Sequence, residues 1–148
     1  MSDCSTCRSI ATDSAPGGRI HATAHWYVDH CIGPLGVGTL IVKPTRHVVH
    51  VADLDGGEAA ELGPLLQQAS AVVTELVRPD QVYVTLWSHA GGAPVHIHFV
   101  VQPVTRDQMD ASGLHGPRLQ VEMFAHGEPP SPEAAAAFAE RARAAWPG

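Results

Sequence analysis

Lysine is nearly absent from this chain. Lys43 stands alone in 148 residues, and Lys and Arg together number 9 against 15 Asp and Glu. A formal charge of −6 supplies no basic face to neutralise the phosphates of a duplex, so no nucleic-acid partner is expected. A single Lys also makes no polybasic patch for an anionic membrane surface. No apolar run reaches the ~20 residues that a membrane span requires. Cysteine is scarce and odd in number, with Cys4, Cys7 and Cys31 only, which argues against a disulfide scaffold. The polar start Met1-Ser2-Asp3-Cys4 has no signal-peptide core, so a cytoplasmic location is the expectation. Internal repeats are missing, and the only biased tract is the Ala-rich tail. At 45% hydrophobic and 16% charged residues, the composition is globular, and the length suits one domain over residues 1–148. Histidine, by contrast, is abundant at ten residues.

Hydrophobic patterning predicts the elements. Turn-forming Ser14-Ala15-Pro16-Gly17-Gly18 precedes two short strands, Arg19–Ala24 and His25–Cys31. An apolar Gly/Pro loop, Ile32–Gly38, leads to a β-branched run, Thr39–Pro44. From Gly57 to Val77 the residues Leu62, Leu65, Leu66, Ala69, Val72, Val73 and Leu76 form one helical stripe, with Asp55 as N-cap and Pro79 as stop. Gln81–Trp87 alternates as a strand, 88–94 reads as a loop, and Val95–Gln102 reads as a second strand ending at Pro103. Pro117–Phe124 suits a short helix. Ser131-Pro132-Glu133 opens a final one running to about Trp146. The order β-β-β-α-β-β-α predicts an α+β domain on an antiparallel sheet, with one long helix and a C-terminal helix.

Val95-His96-Ile97-His98-Phe99-Val100-Val101 places His96, His98 and Val100 on one strand face, and Ile97, Phe99 and Val101 on the core face. Two imidazoles side by side serve metal ligation or attack on a phosphoryl group, or are simply hydrogen-bonded surface histidines. Gly91-Gly92 ahead of the strand frees backbone N–H groups for an anion. Cys4-Ser5-Thr6-Cys7 has the spacing of a zinc knuckle whose two further ligands are His or carboxylate; a spare dithiol is the alternative.

His96-Ile97-His98-Phe99-Val100-Val101-Gln102-Pro103, with upstream Gly38-Thr39-Leu40-Ile41-Val42-Lys43-Pro44-Thr45-Arg46-His47 and then Asp53-Leu54, resembles the histidine triad (HIT) family over roughly residues 4–106. The family pattern is His-φ-His-φ-His-φ-φ, preceded by Pro-x-x-His. The resemblance is to the bacterial type with a zinc knuckle, and the third triad His is replaced by Val100. It implies a HIT-like antiparallel sheet, a homodimer and a purine-nucleotide ligand. Residues 1–18 would be the knuckle segment and 104–148 a C-terminal extension. It implies hydrolysis or transfer at the α-phosphate of a nucleoside phosphate ester, anhydride or phosphoramidate. His98 inherits the nucleophile's role, forming a nucleotidyl-histidine, with its other nitrogen bonded to the carbonyl of His96. Gly91, Gly92, Ala93 and Arg106 are the implied phosphate contacts. Ile10, Asp29, Cys31 and Leu40 are the implied nucleoside contacts, with Ile20 and Ile32 as further apolar candidates. Structural zinc would be held by Cys4, Cys7, His47 and His96, with His50 as an alternative to His47.

The departures bear on the chemistry. Val100 neither donates a hydrogen bond nor protonates a leaving group, a loss worth on the order of 10²–10³ in rate. The family's Gln-Ser or Gln-Thr of the phosphate loop is Gly92-Ala93 here, and Thr39 replaces a common His. A nucleotide-binding protein with little or no catalysis is therefore the first alternative, and His89 is a candidate replacement proton donor. Cys31 is read as a small buried residue, or as a thiol nucleophile beside His30 or His98. Trp26, Trp87 and Trp146 are core or dimer residues, or base-stacking ones. A cupin-like metal enzyme using His96, His98 and Gln102 is the second alternative, against which the long helix counts.

Overall fold

The computed structural model describes residues 3–90 and 92–148. Its strands are His21–Ala22 (β1), Trp26–His30 (β2), Leu40–Pro44 (β3), Gln81–Ala90 (β4) and Ala93–Val104 (β5). They form one antiparallel five-stranded sheet in the order β1-β2-β3-β5-β4. The helices are Ser5–Thr12 (α1), Gly56–Val77 (α2), Arg106–Ser112 (α3), Pro117–His126 (α4) and Pro132–Ala145 (α5), and a short 3-10 turn spans Val51–Asp53. The fold class is α+β, as the pattern predicted. A cupin-like barrel is excluded, because α2 and α5 cover one face of an open sheet.

That helix-covered face holds the main core. Trp26 and Val28 of β2, Leu40 and Val42 of β3, and Val101 of β5 meet Leu65, Ala69, Val72 and Val73 of α2 and Phe138 and Ala139 of α5. Burying each of the large side chains contributes about 1.5–3 kcal/mol before the entropy of ordering is set against it. Asp55 closes a capping box with Glu58 at the start of α2, each side chain accepting from the other's backbone N–H at 2.8 Å. Ser131 caps α5 in the same sense, accepting from Ala134 N–H.

The strand period of two sends the alternate residues to the other face. There a smaller cluster of Cys31, Leu35 and Val100, with Ile41, Trp87 and Met123 against it, forms the floor of a cavity. Thus both faces of β5 are covered, and Val100 is as buried as Val101.

Several boundaries differ from the sequence expectation. Residues 88–94 do not form a loop: β4 and β5 are one long hairpin, with Ala90 opposite Ala93 and a register shift between Trp87 and His89. Gly91-Gly92 between two alternating runs is a hairpin signal, and cross-strand pairing extends both strands to it. Pro103 lies inside β5, beyond Val101, where pairing to β3 has ended. A proline costs no ladder bond on an open flank. Strand β1 is only His21–Ala22, and α1 and α3 have no counterpart in the apolar pattern.

Candidate active site and metal centre

Four strands build the cavity wall by register alone. Asp29 pairs with Ile41, Ile41 with Val100, and Val100 with Thr85, one continuous row across the sheet. In the next row Tyr27 pairs with Lys43 and His98 with Trp87. The β3–β5 ladder ends at Val42 opposite Phe99, so Lys43 and His98 are the next facing positions on the cavity side. Helix α1 forms the opposite wall with Arg8, Ser9 and Thr12, and Phe124 of α4 packs edge-on against Trp87 at 4.8 Å between ring centres. The enclosed volume is about 610 Å³, within the range of small-molecule sites.

His98 is half-buried in this wall. Its Nδ1 lies 3.2 Å from the carbonyl oxygen of His96. A carbonyl only accepts, so Nδ1 carries the hydrogen and Nε2 keeps its lone pair. Burial holds the His98 pKa below the ordinary imidazole value; the His96 carbonyl opposes this, and the charge of Lys43 adds to it. A neutral imidazole of fixed tautomer is a nucleophile or a proton acceptor.

Around it, Val100 is 1% exposed and forms part of the cavity floor. Asp29 and Lys43 make a buried ion pair, Nζ donating to Oδ2 at 2.8 Å, and Nζ also donates to Ser9 Oγ at 3.2 Å. Desolvation raises the Asp29 carboxyl, and Lys43 opposes it. His30 is locked, its Nδ1 donating to the Cys31 carbonyl at 2.7 Å and its Nε2 accepting from Gly38 N–H at 2.9 Å. With both ring nitrogens occupied, it is no base for Cys31, whose thiol burial pushes up. Cys31 stands in the cavity wall as a buried thiol and is not a nucleophile activated by His30.

Two residues from His98 along β5, His96 belongs to a second cluster. The ligand atoms of Cys4, Cys7, His47 and His96 all fall within 4.8 Å of one another. Nδ1 of His96 is 3.4 Å from Cys7 Sγ and 3.6 Å from Cys4 Sγ, and Nδ1 of His47 is 3.4 Å from Cys7 Sγ. Sulfur and nitrogen on one tetrahedral zinc stand about 3.5 Å apart, given Zn–S of ~2.3 Å and Zn–N of ~2.0 Å. His96 Nε2 lies 2.7 Å from the Pro44 carbonyl. It therefore donates there and turns the Nδ1 lone pair toward the sulfurs, the usual support of a metal-bound imidazole. The donor set fits zinc. Among the described residues His50 is not in this group. The segment carrying His47 is tied to α2, where Arg46 meets Glu58 through Nη2 at 2.7 Å and Nε at 3.1 Å.

Other expected contacts lie elsewhere. Leu40 is fully buried in the main core and cannot touch a nucleoside, because the odd–even alternation of β3 turns Ile41 to the cavity instead. Ile20 is likewise a core residue, and Ile10 lies on α1 outside the cavity lining. Ile32 does line it, 71% exposed at the rim. Arg106 is ion-paired to Asp80 at 2.7 Å, beyond the end of β5 remote from His98, so it holds no phosphate there. Gly92, Ala93 and His89 stand exposed at the tip of the β4–β5 hairpin and do not line the cavity, since pairing of the two strands carries the turn away from it. Gly91 lies outside the described residues. Trp26 and Trp146 are buried structurally, and Trp87 alone of the three faces the cavity. Sequence reasoning overlooked Lys43 and the hydroxyl-bearing wall of α1. The signal for Lys43 was present: it alternates with Ile41 on a strand otherwise apolar.

The antiparallel five-stranded sheet thus carries its His-x-His pair on β5, the neighbour of edge strand β4, with a Cys2His2 cluster beside it. This chain has the histidine triad fold. A zinc-bound histidine triad family protein from Mycobacterium smegmatis is 18% identical at a TM-score of 0.69, the match covering 97% of this chain and 94% of that one. A HIT-like protein involved in cell-cycle regulation from Bartonella henselae, with an unknown ligand, is 17% identical at 0.70, covering 97% of each chain. A hypothetical histidine triad nucleotide-binding protein from Sulfolobus tokodaii is 18% identical at 0.68, covering 95% of this chain and 90% of that one. No family model and no curated protein matches the sequence. Among the described residues of this histidine triad fold, no helix is long and apolar enough to cross a membrane.

Proposed function

We propose that this histidine triad protein binds a purine nucleotide in the cavity and hydrolyses or transfers its nucleotidyl group through His98. The observation that carries the reading is the tautomer of His98: Nδ1–H is committed to the His96 carbonyl, and the free lone pair belongs to a ring that lines the cavity. Nε2 attacks the α-phosphorus, a P–N bond forms, and the bond to the leaving group breaks. The leaving group departs with the electron pair and takes its proton from water. The positive charge on the imidazole is stabilised by the His96 carbonyl. Water, or another acceptor, then displaces the histidine and loses a proton. In this reading His96 is a positioning residue, Trp87 and Ile32 supply apolar contact, and Asp29 and Cys31 stand near the nucleoside. Cys4, Cys7, His47 and His96 hold structural zinc, which fixes the strand beside His98. Free thiols as ligands fit a reducing, cytoplasmic setting. Residues 1–148 act as one unit, and the unpaired edge of β4 serves as a homodimer interface.

Incubation with adenosine 5′-phosphoromorpholidate or a dinucleoside polyphosphate, followed by intact-mass analysis under alkaline quench, is the test. One adenylyl group is expected on the chain, absent from His98→Asn. Val100 favours a second reading, binding without turnover, because no side chain at that position donates a proton. Adenosine monophosphate that binds with neither adduct nor turnover selects that second reading.

A further inference from the structure

The Asp29–Lys43 pair is out of character with its surroundings. It sits on the floor of a cavity otherwise made of Ile41, Val100, Leu35 and Cys31, and its side chains are only 3% and 6% exposed. Removing two charges from water costs several kcal/mol per ion, and an apolar pair of similar volume commonly serves folding as well or better. Lys43 is also the only lysine in the chain. An ammonium has three hydrogens. Two are directed to Asp29 and Ser9, and the ring of Tyr27 lies 5.4 Å from the nitrogen. Position 43 on β3 is the facing neighbour of His98, one row from Val100. The cavity lining carries two cations, Arg8 and Lys43, against one carboxylate, Asp29, in a chain whose overall charge is −6.

We propose that Lys43 is the phosphate-holding residue of this cavity, its third N–H taking a phosphoryl oxygen of the ligand beside His98, with Asp29 and Ser9 fixing the ammonium in place. The donor that Val100 lacks on β5 is thereby supplied from β3. The inference rests on the reading of the cavity as a nucleotide site and names the group that selects the phosphate.

Calorimetric titration of adenosine monophosphate, adenosine and inorganic pyrophosphate at one ionic strength tests it. The unaltered chain should prefer the monophosphate to adenosine by roughly 10- to 100-fold, the worth of a charge-assisted hydrogen bond. In Asp29→Leu/Lys43→Met, which removes both charges without stranding either, the preference should collapse to about twofold or less. Asp29→Asn/Lys43→Gln should do the same if the first variant fails to fold, and Lys43→Arg should keep the preference. A preference unchanged in the double variants, or already near one in the unaltered chain, overturns the role of Lys43 and leaves nucleotide binding standing. Pyrophosphate bound through Lys43, with neither nucleotide nor nucleoside bound, supports the anion site and overturns the nucleotide reading. No binding of any of the three overturns both.

Discussion

His96 serves two neighbours at once. Its ring reaches Cys4 and Cys7 through Nδ1 and the Pro44 carbonyl through Nε2, while its own carbonyl accepts from His98. One residue thus links the metal cluster to the tautomer of the proposed nucleophile. Two positions beyond His98, Val100 stands where, in the proposed function, an imidazole would protonate the leaving group. Reinstating it is a direct test of what the valine costs. Val100→His should raise turnover of a phosphoramidate by about 10- to 100-fold, since amine leaving groups need a proton, and should matter less for a polyphosphate leaving as a stable anion. Steady-state rates on both substrates check this, and equal effects on the two would refute the assignment. At this scale the sequence was legible where chemistry is unusual: paired imidazoles and paired thiols name themselves. It was misleading at Leu40, because a strand residue one place out of phase faces the opposite side of the sheet.

Helix α1 shows how an element can be set by a site rather than by its own pattern. Ser5–Thr12 has no buried residue, and its run of mostly Ser, Thr and Cys carries little helix preference. Its N-cap is Cys4, whose sulfur accepts from Cys7 N–H at 3.4 Å, and its far wall closes the cavity. Isolated helices of this length are not stable in water, so anchoring at the Cys4–Cys7 end is what holds this wall. Cys7→Ser is expected to lose one zinc per chain by elemental analysis. It should also lower Tm by about 5 °C or more, corresponding to roughly 2 kcal/mol for a domain of this length. Nucleotide affinity should fall in parallel while the sheet persists in circular dichroism. Zinc retained at full stoichiometry would remove Cys7 from the ligand set. By comparison α2 and α5 were readable without tertiary help, because each carries a 3.6-residue apolar stripe and a side-chain cap at its first turn.

In the whole molecule the sheet is asymmetric. β5 is flanked on both sides, whereas β4, ten residues long, is an edge. Val84 and Leu86 on that edge strand are 43% and 41% exposed. A long edge with apolar side chains invites pairing, and a second copy of this chain is the proposed occupant. Light scattering should give a dimer for the native chain and a monomer for Val84→Glu/Leu86→Lys, with Tm falling as protein is diluted only in the former. A native chain that scatters as a monomer at micromolar concentration would end the dimer reading. Periodicity and capping alone determined that this is an α+β chain with one long helix; spacing singled out the His96–His98 pair and the Cys4–Cys7 pair, and the family resemblance added His47 and His96 as the remaining ligands of the cluster. Those signals are local, or depend on residue types too rare to be mistaken. Only the tertiary structure decided that Lys43 and Asp29 stand beside His98, that Arg106 does not, and that the Gly-Gly segment is a hairpin tip. Such outcomes follow from register between strands distant in sequence, and register is set by which face each strand buries once all five are assembled.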